Sequence, residues 1–489
     1  FFMMLSARGL YCSPILRSFQ RYSSIWISNP TTGKDVIELS SDTPSSVIEK
    51  AVAAREAQKE WMKVPLQTRK EAIEQYRDAL SNSDTIRKFS KDTTQETGRP
   101  ERQVAGEING TIERINFFLN FIDDALKEKT YPSRGGVTES LAFEPLGVVG
   151  NISAWNYPYF VGHNVIIPAL LCGNAVLYKP SEYALQTGIN VTELINEFLP
   201  KDLFQPIIGA GDVGQAMLEE SDKNGRRLMD AIYFTGSNAT GSKIAERAGR
   251  RLMKVQLELG GKDSVYVHKD VPIDDVAAAV ADGALYNNGQ SCCSIERIYV
   301  HEDIHDDFVK RLVHHASSLK IGDPTDETTY LGPLTRPQQA KVLDEQVSDA
   351  IEKGGNVVLG GKVLNTQFGG VFYSPTVITN CTRDMKVIRD ESFGPIMGVT
   401  KVSGSVEEIV NQMNDCEYGL TNAVYSKDKD IAMEILPQLQ SGTVYWNACD
   451  RVSPQLPWSG RFGSGVGATL GEMGITTFVQ PKGYHKKSL

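Results

Sequence analysis

Apolar positions in this chain follow two rhythms, and the change between them falls near Pro145. Before it, apolar residues recur every three or four positions, the period of a helix with one buried face. Thr43-Pro44-Ser45-Ser46 reads as a helix start, with Ser45 or Ser46 as the cap, and the pattern runs through Ala51-Val52-Ala53-Ala54 to Trp61. A second amphipathic stretch covers about 65–81 and a third about 102–126. The three predict a helical layer over one face of a sheet, and they show no evident chemistry. Ile25 to Leu39 predicts extended chain broken by a Pro-Thr-Thr-Gly turn, and Tyr131 to Phe143 a hairpin turning at Gly135-Gly136.

After Pro145, short apolar runs alternate with helical stretches. Strands are predicted near 148–152, 175–178, 206–208 and 231–234, separated by helices near 161–171, 183–198, 214–220 and 239–249. This alternation predicts right-handed crossovers and a parallel, doubly wound sheet, which binds ligands beyond the carboxyl ends of its strands. A second series follows Leu259. It predicts strands near 264–268, 298–300, 357, 371, 397–402, 421–425 and 442–446, with helices near 274–285, 305–319, 406–413 and 430–439. The fold class expected is therefore α/β, with two α/β domains. The chain ends in a Gly-rich segment and then a basic one, closing in Lys486-Lys487.

Composition narrows the function classes. A chain of 489 residues with a net charge of -9 is long enough for roughly three domains and lacks the basic surface of a general nucleic-acid binder. Its seven cysteines form no CxxC and no Cys/His ligand spacing, so neither a disulfide framework nor a metal site is expected, and the thiols are expected reduced. No apolar run reaches the ~18 residues of a membrane span. The first residues, Phe1-Phe2-Met3-Met4, suggest a start at Met3 or Met4. No acidic residue precedes Asp35, while Arg8, Arg17 and Arg21 lie among serines. That is the composition of a mitochondrial transit peptide over 1–24, with Arg21-Tyr22-Ser23-Ser24 resembling a matrix-processing site. An unstructured tail with no address is the alternative.

Six stretches carry candidate chemistry. Asn288-Gly289-Gln290-Ser291-Cys292-Cys293-Ser294 places two cysteines where a helix hands over to a strand, a junction that can present a thiol to a cleft; alternatively they are small buried apolar residues. Phe234-Thr235-Gly236-Ser237-Asn238-Ala239-Thr240-Gly241 follows a strand and opens a helix, where backbone N–H groups can approach a pyrophosphate, or where the chain merely turns tightly. Lys179-Pro180-Ser181-Glu182 could hold ribose hydroxyls, with Glu182 repelling a 2′-phosphate, or be a solvated loop capped by Ser181. Glu258 is a lone carboxylate in an apolar strand, suited to a general base or to an ion pair with Lys262. Trp155-Asn156-Tyr157-Pro158 offers an amide N–H for an oxyanion, or a turn-forming Asn, and Glu391-Ser392-Phe393-Gly394-Pro395 taken alone could be a turn.

In chain order, from Trp155-Asn156-Tyr157-Pro158 through Lys179, Phe234, Leu257-Glu258-Leu259-Gly260-Gly261-Lys262 and Gly289 to Glu391, the stretches closely resemble the NAD(P)-dependent aldehyde dehydrogenase superfamily from about Ile25 to the end. The resemblance implies Cys292 as nucleophile, Glu258 as general base and Asn156 as the oxyanion amide, with Cys293 at a neighbouring position that varies. It places Lys179, Ser181 and Glu182 at the adenosine ribose, and Gly236 and Ser237 near the pyrophosphate. Glu391 falls at the nicotinamide ribose and Phe393 beside the nicotinamide, with Ser153, Trp155 and Leu259 completing the cofactor site. The implied fold is aldehyde dehydrogenase-like: a Rossmann-type cofactor domain (25–126 and 145–258), an α/β catalytic domain (259–472) and a small β oligomerisation flap (127–144 and 473–489). A homodimer or homotetramer follows from the flap.

The implied reaction oxidises an aldehyde to a carboxylic acid through a cysteine thiohemiacetal and a thioester that water hydrolyses. Glu182 favours NAD over NADP. No nucleic-acid or membrane partner is expected, and the N-terminal segment points to the mitochondrial matrix. Three rivals stand beside this: a CoA-acylating dehydrogenase, against which Glu258 counts, a catalytically silent binding protein, and a thiol-redox sensor using Cys292-Cys293. Tyr157, Cys293, Val452 and Trp458 are expected to line the aldehyde tunnel. Ala154-Trp155-Asn156-Tyr157-Pro158 and Pro457-Trp458 look somewhat like betaine- and aminoaldehyde-oxidising members, whose aromatic walls suit a cation, whereas generic apolar lining and broad specificity is the plainer expectation. Departures from the family pattern are Ala154 for a Pro, Asp263-Ser264 after Lys262, and Ser464-Gly465-Val466-Gly467-Ala468-Thr469 for Ser-Gly-x-Gly-Arg-Glu.

Overall fold

A computed structural model describes residues 24–487. The expected transit segment lies, apart from Ser24, outside those residues.

Three sheets organise the chain. In the first, strands 254–258, 231–235, 148–152, 175–179 and 204–206 lie side by side and parallel, and a two-residue strand, Gly465–Val466, closes one edge antiparallel to 254–258. Val148–Ile152 and Ala175–Lys179 are buried at every position. A parallel strand covered on both faces must read as a continuous apolar run, and this pair does. The second sheet has the order 356–359, 376–379, 396–402, 295–301, 263–267, 421–425, 443–446, parallel except at the 356–359 edge. Neighbouring residues along its central strand face opposite cores: Val265 and Val267 join one cluster, Tyr266 another. The third sheet is antiparallel, with 479–487 paired along the whole of 137–145, which in turn pairs with 129–134.

Four helices, not three, precede the first sheet: Pro44–Trp61, Leu66–Leu80, Ser83–Thr97 and Glu101–Ala125. The first is capped by Thr43, whose hydroxyl accepts from the Ser46 N–H at 3.2 Å while Ser46 Oγ accepts from the Thr43 N–H at 2.9 Å. Ser46 is therefore the inner partner of a capping box rather than the cap, and Ser45 is neither. Ser83–Thr97 escaped the periodicity because its buried face is largely polar, with Ser90, Thr93, Thr94, Glu96 and Thr97 beside Phe89. A helix over Gln339–Glu352 and a strand over Thr376–Thr379 were also missed, and the strand placed at 206–208 sits two residues earlier. Trp458, Leu470, Ile475 and Phe478 pack into the core of the first sheet, where Trp458 reaches Glu258.

Candidate active site

The cysteine pair sits where the helix Ile273–Leu285 gives way to the strand Ile295–His301. The backbone there is unusual. Asn287, Asn288 and Gly289 all take left-handed φ, of 53°, 60° and 65°. Asparagine tolerates this region better than other residues with a side chain. Glycine is required at 289, because a Cβ there would lie 2.4 Å from the Gly394 carbonyl oxygen. It is required again at 261, where a Cβ would come within 2.2 Å of the Cys292 carbonyl oxygen. Two neighbouring backbone segments, at Gly261 and Gly394, therefore pack directly onto the cysteine loop.

Cys292 stands between two cavities. One, of about 420 Å³, is lined by Tyr157, Glu258, Cys293, Val452 and Trp458 among others; the second, of about 700 Å³, runs over the carboxyl ends of the first sheet. Both are lined by Cys292. The Cys292 sulfur lies 4.0 Å from Glu258 Oε1, and that oxygen accepts a 2.7 Å hydrogen bond from the Trp458 indole N–H. The alternative partner for Glu258 is not used: Lys262 is paired with Glu296 at 2.5 Å. Burial raises the Glu258 carboxyl above its ordinary range, with the Trp458 hydrogen bond and the Arg114 charge acting against the rise. At Cys292 the neighbouring Cys293 thiol favours the thiolate, but burial and the Glu258, Asp263 and Glu391 carboxylates outweigh it and raise the thiol. Cys293 points elsewhere, with its sulfur 3.0 Å from Asp450 Oδ1.

Asn156 is buried beside this pair and donates from Nδ2 to the Gln290 carbonyl at 3.1 Å. An amide nitrogen carries two hydrogens, so one remains for a ligand. Its own carbonyl accepts from Asn287 Nδ2 at 3.1 Å, which ties it to the cysteine loop.

The larger cavity gathers every residue expected to hold the cofactor. Lys179, Ser181 and Glu182 line it, as do Gly236 and Ser237 at the start of the helix Asn238–Arg250. Ser153, Trp155, Leu259, Glu391 and Phe393 line it as well. Trp155 and Phe393 meet edge to face at 5.6 Å. Glu391 accepts from the Gly261 N–H at 3.1 Å, and burial, reinforced by Glu296, pushes its carboxyl up to about 8. The loop that carries Glu391 and Phe393 is held from behind, because Glu296 accepts from the N–H groups of Ser392 at 2.8 Å and Phe393 at 2.9 Å. Burial lowers the Lys179 ammonium, while Glu182 and Asp212 pull it back up.

Residues 18–483 match the aldehyde dehydrogenase family. The chain belongs to that family. Among the aldehyde dehydrogenases, a putative succinate-semialdehyde dehydrogenase (NADP) 2 from Mycobacterium ulcerans is 36% identical over 458 residues, covering 92% of this chain and 86% of that protein. A betaine aldehyde dehydrogenase from Brucella anthropi is 32% identical over 458 residues, covering 93% and 92%. The crystal structure of an NAD-dependent aldehyde dehydrogenase from Sinorhizobium meliloti overlays with a TM-score of 0.90 at 30% identity, over 95% of this chain and 92% of that one.

Sequence reasoning passed over several residues of this aldehyde dehydrogenase site. The helix Glu101–Ala125, read as free of chemistry, brings Glu107 and Arg114 to the smaller cavity, and Arg99 and Asp450 join them there. A signal existed. Glu107 and Arg114 are in phase with the buried Val104, Ile108, Thr111 and Ile115, so two charges sat on an otherwise apolar face. Lys243, Arg247, Arg336 and Gln339 line the larger cavity and had no such signal.

Proposed function

We propose that this protein oxidises an aldehyde to the carboxylic acid, using NAD in preference to NADP, through a thioester on Cys292 that water hydrolyses. The observation that carries the reading is the Cys292 sulfur, 4.0 Å from Glu258 and lining both cavities. The larger cavity suits a dinucleotide in its donor set: a lysine and a carboxylate, a helix N-terminus for the pyrophosphate, and a second carboxylate beside two aromatic rings. When bound, the dinucleotide supplies an acceptor for the hydride that a thiohemiacetal must lose to become a thioester.

The chain's own groups do the rest. Cys292 attacks the carbonyl carbon as the thiolate, and the Glu258 carboxylate is the proton acceptor within reach. The free Asn156 N–H faces the developing oxyanion, with the Cys292 backbone N–H as second donor. Glu258, once it has released that first proton to solvent, is kept proton-hungry by burial; it then takes a proton from water as it adds to the thioester and passes it to the departing Cys292 thiolate, releasing the acid and restoring the thiol. This hydrolytic role argues against transfer to coenzyme A.

Glu182 supports NAD, since its carboxylate beside Lys179 would meet a 2′-phosphate with like charge. The Mycobacterium ulcerans relative is named for NADP, so cofactor choice is a point for measurement. The relatives' names span anionic and cationic aldehydes and leave the substrate class to the cavity itself. Self-association is proposed through the three-stranded sheet, whose outer strand Lys129–Arg134 is exposed at every position. The basic, serine-rich first residues support delivery to the mitochondrial matrix.

The test is NADH or NADPH formation by the purified protein with neutral, anionic and cationic aldehydes, beside Cys292→Ala. Turnover with NAD that Cys292→Ala abolishes supports the reading. Binding of NAD without turnover of any aldehyde would replace it with the silent or redox-sensing alternative.

A further inference from the structure

The smaller cavity holds a charge that makes and breaks no bond in the reaction and acts on Glu258 only through its field. Arg114 lines it and is only 4% exposed. Its Nη1 donates to Asn164 Oδ1 at 2.9 Å, and its guanidinium carbon lies over the Phe160 ring, 3.7 Å from the centroid. These two contacts fix its direction without neutralising it. Among the described residues no carboxylate comes within ion-pair distance of it. Burial lowers the group to about 10, which still leaves it a cation at neutral pH.

Of the four acids that line the cavity three are already engaged, and the fourth, Glu113, is exposed to solvent. Glu107 forms a buried ion pair with Arg99 and also accepts from the Phe160 N–H at 2.9 Å. Glu258 accepts from Trp458. Asp450 accepts from Cys293, and burial pushes its carboxyl up to about 7. Arg451, more exposed, leans towards Asp282 at 3.5 Å. A desolvated guanidinium with no fixed counter-ion is costly, and the cost is offset when an anion occupies the space it faces. Arginine suits a carboxylate in particular, because its fork matches the two oxygens. The aromatic walls that suggested a cationic substrate therefore surround a positive charge.

Resting on the aldehyde-oxidising reading, we propose that Arg114 receives a carboxylate at the far end of the substrate, so that the enzyme selects semialdehydes of short dicarboxylic acids over neutral or cationic aldehydes of equal length. A cavity of about 420 Å³ has room for such a chain.

The experiment compares kcat/KM for succinic semialdehyde, butanal and 4-aminobutanal in the natural enzyme and in Arg114→Gln and Arg114→Lys. The natural enzyme is expected to prefer succinic semialdehyde. Arg114→Gln should cut its advantage over butanal by at least about tenfold, mainly through KM, and Arg114→Lys should restore part of it. Preference for butanal or 4-aminobutanal in the natural enzyme would overturn the proposal. So would an equal loss on all three aldehydes, the mark of a residue that acts through Glu258 or supports the fold. Should Arg114→Gln not fold, Asn164→Leu removes the acceptor that aims the guanidinium and is read the same way. If no aldehyde turns over, the reaction reading fails first, and succinate binding followed by tryptophan fluorescence decides the remainder: binding lost in the variant supports the anion site, and equal or absent binding overturns it.

Discussion

Trp458 donates its indole N–H to the same Glu258 oxygen that faces the Cys292 sulfur, at 2.7 Å. The donor comes from a segment 200 residues along the chain, and the bond favours the carboxylate of a group that burial pushes the other way. Trp458→Phe keeps the ring and removes the donor. Without it the Glu258 carboxyl rises further, so the base is protonated over more of the acid range. The acid limb of the kcat profile is expected to move to higher pH, and turnover at pH 7 to fall by roughly tenfold, the worth of a hydrogen bond to a charged group. A pH–rate profile checks both; an unmoved limb would remove Trp458 from the account.

Glu182 lines the larger cavity beside Lys179. Glu182→Ser removes the negative charge and leaves the lysine. The ratio of kcat/KM with NADP to that with NAD is expected to rise by about tenfold or more, because a like-charge contact is relieved. Steady-state rates with each cofactor measure it. An enzyme that already prefers NADP before substitution would show that Glu182 does not set the choice.

The two rhythms of the sequence reached far into this fold because a parallel strand buried on both faces has little room for polar residues. Val148–Ile152 and Ala231–Thr235 are legible for that reason. Ser83–Thr97 was not, since it buries threonines and Glu96, whose carboxylate accepts from the N–H groups of Gln186 at 2.6 Å and Thr187 at 2.7 Å. Those bonds join segments about ninety residues apart, and no local pattern announces them. The residues proposed to react stood out only as an ordered set. Each motif alone allowed a structural role, and Asn156 does serve the loop as well, through Gln290. Arg114 was hidden by the habit of reading a charge on a helix as solvated.

Lys262 and Glu296 form a pair almost wholly out of water, and Glu296 also holds the backbone of Ser392 and Phe393. Glu296→Gln leaves the ammonium buried without its counter-charge. A loss of about 3–5 kcal/mol in unfolding free energy is expected. The loop bearing Glu391 and Phe393 should loosen too, weakening NAD binding severalfold. Denaturant unfolding and an NAD titration read the two effects separately; a stable variant with unchanged NAD affinity would contradict both.

The central claim is that Cys292, not its neighbour, carries the acyl group, and that Glu258 removes it. Intact-protein and peptide mass spectrometry of Glu258→Gln after mixing with NAD and succinic semialdehyde or butanal tests this most directly. The account predicts an added acyl mass approaching one per chain, located on Cys292 and absent from Cys292→Ala. An adduct on Cys293, or turnover that persists in Cys292→Ala, would contradict it.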